Sequence, residues 1–122
     1  MKRALFLAIV AIALSAPVLA TAVGPLDGAY SVTETSSEGR FLDYVVVLQK
    51  EAAQVAIAIL LPDVETWFYG IGTLSGSTAS GTLFVPDGTS FGSFALRFGA
   101  DGSLSGTLDT GETVDLNGSR LF

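Results

Sequence analysis

The chain has 122 residues, twelve acidic and six basic, for a net charge of −6, and it contains neither cysteine nor histidine. Lack of histidine removes the commonest general base, metal ligand and pH switch, and lack of cysteine removes disulfides and thiolate chemistry. The basic residues beyond position 20, Arg40, Lys50, Arg97 and Arg120, are scattered, which argues against nucleic acid and against an anionic membrane surface, since both need clustered cations.

In chain order, residues 1–20 read as a signal peptide. Met1-Lys2-Arg3 is a basic start, Ala4 to Ala16 is apolar apart from Ser15, and Pro17 precedes Val18-Leu19-Ala20. Small residues at the two recognition positions predict cleavage after Ala20 and export to a bacterial periplasm or the exterior; a retained anchor is the alternative. Residues 21–122 then form one domain of net charge −8, which must hold together by core burial and a closed hydrogen-bond ladder.

Eight strand-like runs follow, near 28–36, 41–49, 53–61, 66–76, 79–86, 90–99, 103–109 and 112–121, with no helix of more than two turns after residue 23. Turn residues mark the joints at Ser37-Glu38-Gly39, Leu61-Pro62-Asp63, Pro86-Asp87-Gly88, Ala100-Asp101-Gly102 and Thr110-Gly111. Joints this short force antiparallel neighbours, and closing the meander removes its edges. The expected fold is therefore all-β, a single antiparallel meander barrel of about eight strands. In architecture alone it resembles the avidin and lipocalin barrels; no motif carries either family's ligand residues onto this chain.

A three-copy echo sets the expected faces: Leu74-Ser75-Gly76-Ser77, Leu104-Ser105-Gly106-Thr107 and Leu116-Asn117-Gly118-Ser119. Each puts Leu and Gly on one face, with glycine where the wall bends or another backbone comes close. Extended along the chain, this parity points Leu42, Tyr44, Val46 and Leu48 inward with Val55, Ile57, Ile59, Leu61, Phe68, Leu83, Phe94, Leu96, Phe98, Leu108 and Val114. An interior so apolar reads as a filled core.

Outward, strands six to eight and one carry a wet surface, whereas strands two to five carry a contiguous apolar sector. Val45, Val47, Ala56, Ala58, Leu60, Trp67, Tyr69, Ile71 and Phe84 belong to it. Such a sector implies a protein partner, a second copy or a lipid, unless strands two to four are buried on both faces by a flattened barrel or a loop, and Val47, Ala58, Leu60, Trp67, Tyr69 and Ile71 are the candidate contact residues. The alternative is a carrier of a small hydrophobic ligand at the barrel mouth. Tyr30, Tyr44 and Arg120 are its candidate residues, and Glu34 is a further polar group near a strand end.

An outer-membrane barrel, suggested by the terminal Phe122, fits poorly because the polar strands would face lipid. With neither His nor Cys, a nucleophilic Ser or Thr would have only Lys50 or a carboxylate as base, and no G-x-S-x-G elbow is present; Asp63 and Glu65 share a face at a spacing that could serve a sugar or a cation but fits a solvated loop end better, so a non-enzymatic protein without cofactor or metal is expected. Asp63 and Glu65, the single calcium-repeat-like stretch Gly99–Leu104 and the sequon Asn117-Gly118-Ser119 read as loop, turn and strand.

Overall fold

Short turns and alternating strands meet in a closed sheet. In a computed structural model that describes residues 25–51 and 53–122, eight antiparallel strands follow one another around a barrel in chain order, and the last pairs with the first. They are β1 (Gly28–Ser36), β2 (Gly39–Lys50), β3 (Gln54–Leu61), β4 (Thr66–Ser75), β5 (Thr78–Phe84), β6 (Ser90–Phe98), β7 (Ser103–Asp109) and β8 (Thr113–Arg120). The one helical element among the described residues is the 3-10 turn Pro62–Val64. The expected signal peptide and its cleavage site lie outside the described residues.

Local chemistry makes the hairpins. The Asp87, Asp101 and Asp109 carboxylates each accept a hydrogen bond from the backbone N–H two residues on, of Thr89 (2.8 Å), Ser103 (3.0 Å) and Gly111 (3.2 Å). Such Asx turns reverse the chain without help from distant contacts. The bonds to Thr89 and Ser103 also hold the Asp87 and Asp101 carboxyls below the usual carboxylate range. Gly99–Leu104 is one of these turns and the strand that follows it.

The lumen is filled. Tyr30, Val32, Val45, Val47, Val55, Ile57, Ile59, Ala79, Leu83, Phe94, Leu96, Phe98, Leu104, Leu108, Val114 and Leu116 form one buried cluster, with Leu26, Phe68 and Leu74 packed against it. Large and small residues interdigitate across it: the Phe94 ring lies where a Cβ on Gly70 would approach within 2.7 Å. Two glycines of the echo stand as expected. Gly106 pairs with Leu96 and Leu116, Gly118 with Val32 and Leu104, and an added Cβ on either would collide with the backbone of the neighbouring strand. Gly76 does not follow the pattern, for it lies in the β4–β5 turn at φ +63° with open space around it.

Strand β2 has the opposite parity to that expected. Asp43, Val45 and Val47 point into the lumen, while Leu42, 49% exposed, and the half-buried Tyr44 and Leu48 point outward with Val46. The register explains this. Val45 lies opposite Ile59 and Val47 opposite Ile57, so β2 must share the inward parity of β3. Its run Tyr44–Leu48 is apolar at every position and carries no alternation that could set the face locally.

Candidate functional site

Three features of this barrel could act: the outer apolar sector and the two mouths.

The outer sector comes from cross-strand pairing. On its surface Ala29 lies opposite Val46, Val46 opposite Ala58, Tyr44 opposite Leu60, and Leu60 opposite Trp67. Ala29, Val46 and Leu60 are buried although their side chains point away from the lumen, with Tyr44, Ala58 and Trp67 packed against them. Beyond them runs a row of rings: Trp67 and Tyr69 have centroids 6.0 Å apart, and Tyr69 stacks on Phe84 at 5.3 Å and 21°. Ile71, next on the same face of β4, is 56% exposed. Of the candidate contact residues, Ala58, Leu60, Trp67, Tyr69 and Ile71 share this face. Val47 does not, being fully buried in the lumen for the reason of register given above. Its place is taken by Val46 and Tyr44.

The mouth at the start of β1 is closed by hydrogen bonds. The Tyr30 hydroxyl donates to the Leu26 carbonyl (3.0 Å), and Arg120 donates from Nη2 to both the Pro25 carbonyl (2.7 Å) and the Tyr30 hydroxyl (2.8 Å). The guanidinium carbon stands 5.4 Å from the centre of the Tyr30 ring. Asp27 accepts from the Gln49 N–H, and Ala29 exchanges backbone bonds with Leu121 and Phe122. Tyr30 and Arg120 therefore meet, but as a lock over the barrel end. Tyr44 is not with them, because β2 turns it onto the outer face. Tyr30→Phe is expected to leave the Leu26 carbonyl and Arg120 short of a partner and to lower stability by about 1–2 kcal/mol; chemical unfolding of the two proteins checks it.

The opposite mouth, where β1, β3, β5 and β7 end, is acidic and aromatic. A cleft of about 520 Å³ there is lined by Glu34, Ser36, Glu38, Phe68, Phe91, Leu108, Thr110, Glu112 and Val114. Phe68 and Phe91 meet edge to face, centroids 5.2 Å apart at 89°. Glu112 accepts from the Ser37 hydroxyl at 2.7 Å, tying the β7–β8 loop to the β1–β2 loop. One inward rung deeper than Glu34, Asp43 is 1% exposed and pairs with Val32. Burial first, then a hydrogen bond with Glu34 and the negative charges of Glu34 and Asp63, push its carboxyl up to about 8. Its Oδ2 is buried without a hydrogen-bond partner. Among the described residues no acidic cluster is arranged to hold a metal ion.

The sequence placed Glu34 near a strand end and Phe68, Leu108 and Val114 on inward faces, but not their convergence at this mouth. Asp43 was hidden by the wrong parity on β2, and Glu112, Phe68 and Phe91 come from segments whose proximity only barrel closure creates. The chain matches no protein-family model, no curated protein and no solved structure.

Proposed function

We propose that the protein is a non-enzymatic, exported barrel that acts by association, pairing with a second copy of itself through the outer sector of β2–β5. The single observation that supports this most is the unbroken outward row Trp67, Tyr69 and Phe84 beside Ile71. Exposed apolar patches of this kind mark interaction surfaces, and aromatic residues dominate interface centres. Between Arg40 and Lys50 the outward positions of β2 are Leu42, Tyr44, Val46 and Leu48, and no charged residue interrupts the sector on β3 to β5. A charged partner would have nothing to pair with there, whereas a two-fold copy presents the same apolar surface in return. The net charge opposes approach, so association should strengthen with added salt.

Sedimentation across a concentration series tests the reading. The parent should self-associate, and Trp67→Ala with Tyr69→Ser should weaken association at least about tenfold, or 1.4 kcal/mol. Ile71→Lys provides an independent arm, because an exposed position tolerates lysine without unfolding. A parent that stays monomeric, or folded variants that associate as tightly as the parent, would overturn it.

A further inference from the structure

We propose that residues 4–16, while they remain attached, seat on the outer sector of their own barrel and withhold it from a second copy, so that cleavage after Ala20 frees the surface for association. The docking is independent of how the barrel associates; the withholding rests on the reading of the sector as the self-association surface.

The sheet is buried on its outside as well as in the lumen. Val46 points outward and is 4% exposed, yet its cross-strand neighbours are only Ala29, itself 6% exposed, and Ala58. Leu60 has the broad Tyr44 and Trp67 beside it, but two methyl groups do not enclose a valine, so the exclusion of Val46 from water calls for cover from above the sheet. The described residues that cluster with Val46 all belong to the sheet itself. This burial exists within one chain, which favours a segment of that chain over a second copy as the cover. Outside the described residues lie 1–24 and the single position 52, and only the former is long enough to cross the sector.

The chain enters beside this surface. Arg120 holds the Pro25 carbonyl at the start of β1 (2.7 Å), and Leu26 and Asp27 bond to Gln49 near the end of β2. Residues 17–24 reach about 26 Å when extended, against about 10 Å around the wall from β1 to β3. Residues 4–16 are apolar apart from Ser15 and would cover about 20 Å as an α-helix, most of the length of β3. Lys2 and Arg3 then arrive at the far end of the sector, where Asp63 and Glu65 stand between β3 and β4, so charge is complementary there. Strand addition is closed to the segment, because every strand of the barrel is paired on both sides. It must dock through side chains, apolar against apolar.

The full chain, made by cell-free synthesis so that residues 1–20 are retained, provides the test. It has no cysteine of its own, so Val10→Cys carries a single nitroxide. Loss of amide signal is expected to be strongest at Val46, Ala58 and Trp67 and weakest at Thr107 and Asp115, paired on the opposite wall. Nitroxide-bearing chain mixed with isotope-labelled chain lacking the cysteine should leave those signals intact. Trp67 is the one tryptophan, and Leu7→Asp with Val10→Asp makes the segment polar. This double substitution should raise acrylamide quenching of Trp67 at least about twofold at concentrations too low for association, and should strengthen association in sedimentation at least about tenfold. Circular dichroism establishes that the barrel stays folded. Signal loss spread evenly over the barrel, loss that arises only in the mixed sample, or quenching unchanged by the double substitution would each overturn the docking. A rise in quenching with no gain in association overturns the withholding, and a chain beginning at Thr21 that also stays monomeric shows that the association reading has failed with it.

Discussion

Gly106→Val is expected to unfold the barrel or to lower its stability by at least about 3 kcal/mol, roughly 12 °C or more in melting temperature for a domain of this size. Gly106 has φ +154° and lies so close to β6 that a Cβ would collide with the Ala95 carbonyl and approach the Leu96 Cα to 2.8 Å. Relief would require β6 and β7 to separate where Gly106 pairs with Leu96. In a closed barrel such a separation cannot be confined to one edge, because every strand is held on both sides. Overpacking against backbone is also harder to relax than against the end of a flexible side chain. Gly76→Asn is the matched control. It replaces a turn glycine at φ +63° with nothing within 4 Å, and asparagine tolerates that conformation, so its melting temperature should stay within about 5 °C of the parent. Thermal unfolding followed by circular dichroism compares the two, and a Gly106→Val protein that melts with the parent would refute the close-approach reading.

Stability should fall as the pH rises from about 4 to about 8, and Asp43→Asn should abolish most of that fall. The Asp43 carboxyl is raised from 3.8 to about 8 in the folded protein, chiefly by burial and then by Glu34. Between those values the folded chain holds a proton that the unfolded chain has lost, so folding takes up a proton and stability declines with pH. The slope is at most about 1.4 kcal/mol per pH unit. The contribution is fully present below the unfolded value and is gone above the folded one. The exposed Asp87 and Asp101 act in the opposite sense, because their lowered carboxyls favour the folded state above about pH 4 and cease to do so in acid. An asparagine at position 43 keeps a donor toward Glu34 and carries no charge at any pH. Denaturant midpoints measured at intervals between about pH 4 and about pH 9 should therefore slope downward for the parent and lie nearly flat for Asp43→Asn. A flat parent profile, or a slope that survives the substitution, would count against the buried acid.

What could be read from residue order alone was whatever short stretches of chain decide for themselves. Asp87, Asp101 and Asp109 make their turns with the backbone two residues away, and the Pro62–Val64 turn begins at a proline, so the joints and the eight strands were legible. The meander and its closure followed, since joints of that length allow few alternatives to antiparallel neighbours. The inward leucines of β7 and β8 were legible for the same reason, because polar or glycine positions alternate with them, and on β4 Gly70 and Gly72 mark the face opposite Tyr69 and Ile71.

Tertiary structure alone decided the rest. In β2 the apolar run Tyr44–Leu48 fits either face, and pairing with Ile57 and Ile59 selected the one that sends Val47 and Asp43 inward. A strand in isolation would leave Asp43 in water; the barrel buries it and shifts its proton equilibrium instead, because neutralising a carboxyl is easier than burying its charge. The acidic mouth and the Tyr30–Arg120 lock also exist only after closure. Glu34 and Glu112, like Tyr30 and Arg120, sit at opposite ends of the domain's sequence and become neighbours through the β1–β8 pairing. Local residue order does not encode that contact, since it depends on every register around the barrel being satisfied at once.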